Sequence, residues 1–124
     1  MSEEPKYIQI RPQSFDPYKI ISYLDALDKR LIRSEIDYDE VKDQVQEVFD
    51  FVVNEKITNE TMAVSLAKTK ASNDDRYKKV KKELSDKKKL YLYYKIESKN
   101  GHSYCENLKT QSINNLAIEK LTRS

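Results

Sequence analysis

The chain has 124 residues, a charged fraction of 35% and an apolar fraction of only 38%, which excludes a large globular core and bounds it to one domain. One Gly and three Pro, the prolines all within the first 17 residues, exclude the many turns of a sandwich or barrel and suit long helices. The formal net charge of +2 hides a division: residues 1–62 carry 14 acidic and 8 basic side chains, and residues 63–124 carry 7 and 15.

Residues 1–15 read as an extended arm. Ile8 and Ile10 alternate with Gln9 and Arg11, enough for a short strand but without an evident pairing partner. The segment has no apolar run of signal-peptide type, and no stretch approaches the roughly 20 apolar residues of a membrane span. The single cysteine, Cys105, excludes an intramolecular disulfide framework. The expectation is a protein without membrane contact in a reducing compartment, the cytoplasm.

A single helical domain is expected over 16–124. Asp16-Pro17 is helix-start punctuation, an acidic cap followed by Pro where its missing N–H costs nothing. Ile20, Leu24, Leu27 and Leu31 then recur at helical spacing. Asp37 with Glu40 three residues on has the form of a capping box opening a second helix, whose stripe is Val41, Val45, Val48 and Val52. The short link Ser34-Glu35-Ile36 therefore predicts an N-terminal helical hairpin.

A third segment starts near Thr58-Asn59-Glu60 and meets no Pro or Gly until Gly101. As a helix of about 40 residues it would be about 60 Å long. Its stripe is thin: Ala63, Leu66, Tyr77, Val80, Leu84, Tyr91 and Tyr94, interrupted by Lys70 and Asn73. A helix so polar needs a partner helix, so a coiled-coil-like homo-oligomer is expected. A C-terminal helix follows with Leu108, Ile113, Leu116, Ala117 and Leu121. Around 89–108 a β-hairpin competes: Leu90, Leu92, Tyr94 and Ile96 alternate, and Asn100-Gly101 is a tight-turn dipeptide. The helix formers on both flanks favour helix, with the turn at Asn100-Gly101. The fold class is all-α.

Catalytic chemistry finds little support. His102 and Cys105 share a helix face, but with no second Cys or His a zinc site lacks ligands, and no Gly-rich turn surrounds a Cys–His pair. The acidic run Asp37, Asp39, Glu40 and Asp43 has Lys42 where a calcium loop needs Gly. Asp74 and Asp75 are adjacent and point about 100° apart on a helix, which does not make an acid–base pair. No phosphate-cradling loop is present. The reading is a non-enzyme without cofactors or metals.

The feature that stands out is Arg76 to Lys95, with nine Lys/Arg against Glu83 and Asp86. Soluble helices ordinarily interleave Glu with Lys at i, i+4. That compensation is missing here, so an anion is expected nearby: a polynucleotide, or the acidic first half of this chain or of another copy. For a polynucleotide, Arg76, Lys78, Lys79, Lys81, Lys82, Lys87, Lys88, Lys89 and Lys95 would meet phosphates. Tyr77, Tyr91 and Tyr94 fit the apolar stripe, whereas Tyr93 lies off it and is the candidate for stacking on unpaired bases.

The long basic helix "AKTKASNDDRYKKVKKELSDKKKLYLYYK" and the closing helix "ENLKTQSINNLAIEKL", behind a helical hairpin, resemble the small recombination mediators of tailed phages, the UvsY type. The likeness covers roughly residues 59–121 and lies in pattern. It implies an oligomer that binds single-stranded DNA through Lys and Arg of the long helix and helps load a recombinase. The expectation is thus a non-catalytic single-stranded nucleic-acid-binding accessory protein in recombination or replication. The alternative is a structural or interaction protein, a scaffold or inhibitor, whose basic helix meets an acidic protein surface.

Overall fold

The computed structural model describes residues 11–123; the expected strand at Ile8 and Ile10 lies outside them. Three helices account for nearly all of the described chain: α1 (Pro17–Asn59), α2 (Val64–Ser72) and α3 (Asp75–Arg123). No strand occurs among the described residues, so the fold is all-α and the β-hairpin at 89–108 is not formed. The chain divides into two compact units, residues 11–33 with 92–123 and residues 34–91, and α1 and α3 each supply a segment to both.

Helix α1 starts where the punctuation predicts. Asp16 Oδ1 accepts from the Tyr18 amide at 3.1 Å, and the Asp16 carbonyl takes the Ile20 amide at 2.9 Å. The expected hairpin at Ser34-Glu35-Ile36 is corrected: these residues are helical, and α1 runs unbroken for 43 residues. The reason lies in packing. Ser34, 4% exposed, stands in the inward row between Leu27 and Val41, so the apolar stripes on either side are one stripe in register. No Gly or Pro interrupts it, and the Asp37/Glu40 pair sits inside a helix rather than at its start.

Chain reversal happens later, at 60–63. Thr61 takes a left-handed backbone, φ 55°, while the Glu60 and Met62 amides both fold back on the Lys56 carbonyl. Helix α2 then lays Ala67 and Ala71 against Val52 and Val53 of α1, with Val48, Phe49, Ile57 and Met62 around them. Two alanines one turn apart let the helices approach closely, and each buried Val contributes about 1.5–3 kcal/mol. A second break at Asn73-Asp74 separates α2 from α3. In residues 34–91, α1 and α3 run antiparallel, with Phe49 against Tyr77 and Tyr38 stacked on Tyr91 at 5.8 Å.

In the other unit Ile20, Tyr23 and Leu27 of α1 form a buried cluster with Cys105 of α3. Polar contacts set the same antiparallel order. Arg30 donates to the Tyr94 hydroxyl at 3.2 Å, Ser98 donates to Asp28 at 3.1 Å, and the Tyr104 hydroxyl donates to the Pro12 carbonyl at 2.6 Å.

The turn expected at Asn100-Gly101 is also corrected, since the long basic helix and the closing helix are one helix, α3. Gly101 serves a close approach instead of a turn. A Cβ built there collides with Leu27 Cδ1 and comes within 3.2–3.3 Å of the Tyr23 side chain. Accordingly, Gly101→Leu is expected to lower the unfolding free energy by about 1–3 kcal/mol through overpacking. For Gly101→Ala the helix-propensity gain of about 1 kcal/mol opposes the contact, leaving it near wild type. Urea unfolding followed by circular dichroism checks both; a tolerated Leu would refute the close approach.

Candidate nucleic-acid interface

Within residues 34–91, burial sets the rotation of α3. Its inward row is Tyr77, Val80, Leu84, Lys87 and Tyr91, half-buried and spaced 3, 4, 3 and 4. With that row turned inward, the remaining surface divides into two faces. Lys78, Lys81, Lys82, Lys88 and Lys89, all exposed, fall within an arc of about 120° around Ser85. Lys79, Glu83 and Asp86 fall on the other face. Neither acidic residue of the stretch falls within the five-lysine arc: Glu83 stands well away from it, and Asp86, half-buried, borders its edge one turn from Lys82.

Among the described residues, Lys78, Lys79, Lys81, Lys82, Lys87, Lys88 and Lys89 form no ion pair. Lys81 sits 5.7 Å above the Tyr77 ring. The like-charged neighbours Lys78/Lys81 and Lys78/Lys82 each cost about 0.2–0.5 kcal/mol in an isolated helix. Within this unit no α1 carboxylate forms an ion pair with those lysines.

Arg76 behaves differently. Its guanidinium grips Glu55 through two bonds of 3.1 and 3.0 Å and Asp74 through two more of 3.0 and 3.1 Å. Asp74 also caps α3, accepting from the Arg76 amide at 2.9 Å. The side-chain bonds from Arg76, then its amide, hold the Asp74 carboxyl at about 2. Glu55 is lowered first by the Arg76 hydrogen bonds, and Arg76 is raised by Asp74 and then Glu55. Its role is to tie the start of α3 to the end of α1, leaving little of the fork for a phosphate. The uninterrupted Ser-Asn-Asp-Asp run at 72–75 was the available signal for this break and cap.

Lys87 is half-buried in the inward row. Lys95 belongs to the unit of 11–33 and 92–123, where it is exposed and takes part in an interaction. Tyr93 is half-buried, edge-on to Tyr94 with centroids 5.3 Å apart. Tyr77, Tyr91 and Tyr94 all lie on the packed side of α3, as their spacing predicts.

In the same unit His102 Nε2 lies 3.0 Å from Asp28 Oδ1, which only accepts, so that nitrogen carries the hydrogen and the ring is aimed at Asp28. Burial pushes the Cys105 thiol up, with Arg11 acting weakly against it, which keeps the sulfur protonated. Burial also raises Tyr23; Arg11 approaches closely enough to oppose this, yet the hydroxyl makes no well-formed hydrogen bond. Among the described residues no group of three His, Cys, Asp or Glu is arranged to hold a metal ion, and no helix is long and apolar enough to cross a membrane.

The Arg76 cluster has a pH signature. Asp74 titrates at about 2 in the folded chain, below its unfolded value of about 3.9. Its stabilisation is complete above the unfolded value and is lost as pH falls from about 4 through about 2. Asp74→Asn keeps a capping side chain but removes the charge. The urea midpoint of wild type is expected to exceed that of the variant at pH 6, with the gap closing toward pH 2. A gap independent of pH would assign the stabilisation to something other than the carboxylate.

No protein-family model matches the sequence, and the searches of curated proteins and of solved structures likewise return no match.

Proposed function

We propose that this chain is a non-catalytic nucleic-acid-binding accessory protein that holds a phosphate backbone against the lysine face of α3. The observation that carries the reading is five exposed lysines on one face with no acidic residue among them and no ion pair to α1. A phosphate chain relieves the mutual repulsion of such a face and releases its own counterions on binding. Recombination or replication as the setting, and a recombinase as partner, come from the resemblance to the phage mediators, and a cytoplasmic location from the reading of a reducing compartment. The test is fluorescence anisotropy of a labelled oligo-dT at several salt concentrations. Binding that weakens steeply with salt is expected, and absence of binding to both oligo-dT and a duplex at about 50 mM salt sinks the reading.

A second reading, a self-associating interaction protein, is favoured by one observation. Near the end of α3, Ile113, Leu116, Ile118 and Leu121 are 55–77% exposed, and Leu121 is the most exposed of them. Ile113 and Leu116, one turn apart, lie on one side of the helix and form an apolar patch that a partner would cover. A second copy of this chain would supply one. Light scattering at micromolar concentration is expected to show an oligomer that Ile113→Ser/Leu116→Ser dissociates. A wild-type monomer would remove this reading and leave the first intact.

A further inference from the structure

The tyrosine rings within residues 34–91 are occupied by the protein itself. Tyr38 and Tyr91 stack on each other, and Tyr77 packs on Phe49 beneath Lys81. The one large exposed aromatic of this unit, Phe51 at 61%, has the Arg76 guanidinium 5.9 Å from its ring centre. Between Lys78 and Lys89 the outward arc of α3 presents only Lys78, Lys81, Lys82, Ser85, Lys88 and Lys89. None of these has a flat face for a base, and lysine is a flexible point charge, not the planar fork that reads a base edge.

From this we infer that the lysine face recognises nucleic acid through the phosphate backbone alone and binds duplex at least as tightly as single strands. The inference rests on the nucleic-acid reading above and specifies its substrate class. Its physical basis is charge density. A duplex carries one negative charge per about 1.7 Å of axis and releases about 0.9 counterion per phosphate contacted, against about 0.7 for a single strand. A face that gains nothing from stacking therefore gains more from the denser polymer. From Lys78 to Lys89 the face runs about 16 Å along the helix, long enough to meet several phosphates at once. With five contacts, log Kd against log salt has a slope of about 4.5 for duplex and about 3.5 for a single strand. Sequence preference is absent on either polymer.

The experiment compares a labelled 20-base-pair duplex of mixed sequence with labelled 20-mer oligo-dT, using anisotropy across a salt series. Four proteins are used beside wild type: Lys81→Gln/Lys82→Gln/Lys88→Gln/Lys89→Gln, Lys79→Gln, Tyr93→Leu and Phe51→Leu. Circular dichroism verifies that each remains helical; the lysines are exposed and their replacement leaves the packed row intact. Duplex binding at least equal to oligo-dT is expected, with the quadruple variant reducing the duplex slope to about 1. Lys79→Gln, Tyr93→Leu and Phe51→Leu are expected to stay within about twofold of wild type on oligo-dT. Removing a stacking ring would instead weaken oligo-dT binding about 10-fold or more.

Preference for oligo-dT over duplex, or a loss of that size in Tyr93→Leu or Phe51→Leu, overturns backbone-only recognition while leaving nucleic-acid binding in place. A slope insensitive to the quadruple variant overturns the assignment to this face. Failure of wild type to bind either polymer at about 50 mM salt removes the nucleic-acid reading itself, and this inference with it.

Discussion

The antiparallel packing of α3 on α1 is the constraint on which everything else depends. A helix with few apolar residues and many charges has no intrinsic reason to present one side rather than another. Packing removes that freedom. In one unit Tyr77, Val80, Leu84 and Tyr91 turn toward α1; in the other Tyr94, Ser98, Gly101 and Cys105 do so. Once these residues are inside, the direction of every other α3 side chain follows from helical geometry. The lysine face is a consequence of that choice.

The packed row is not uniformly apolar, and its exceptions are instructive. Ser98 and Ser34 are buried without being hydrophobic, and Gly101 contributes no side chain at all. Ser98 is satisfied by Asp28, which also holds His102. Such cross-helix polar contacts fix the sliding register of two helices more narrowly than interchangeable aliphatic residues do. Gly101 adds a steric condition, because Leu27 and Tyr23 occupy the space a side chain would need. These small and polar positions allow a thin stripe to specify one partner surface.

Electrostatics then separates the basic residues by role. Arg76 is bonded to both Asp74 and Glu55 and acts as a tie between helix ends. Lys87 lies half inside the packed row, whereas Lys78, Lys81, Lys82, Lys88 and Lys89 are exposed and form no ion pair. A planar, always-charged fork suits the bidentate clamp, and a mobile ammonium on a long stem suits a repeating anionic backbone. The same stretch of sequence thus combines a structural cation with a row of free ones.

Much of this was legible in the sequence. Helical class followed from the scarcity of Gly and Pro, the start of α1 from Asp16-Pro17, and the inward side of α3 in part from Tyr77, Val80, Leu84, Tyr91 and Tyr94. The helix boundaries inside the chain were not. A capping-box pattern at Asp37/Glu40 and a turn dipeptide at Asn100-Gly101 are local preferences of about a kilocalorie. Both were overridden by a buried row that continues through Ser34 on one helix and through Gly101 on the other. The excess of lysines in residues 76–95 is a property of composition, visible without coordinates. Which of them share a face, which one is half buried, and that Arg76 is already paired were decided only by tertiary structure, because only packing fixes how a helix is rotated about its own axis.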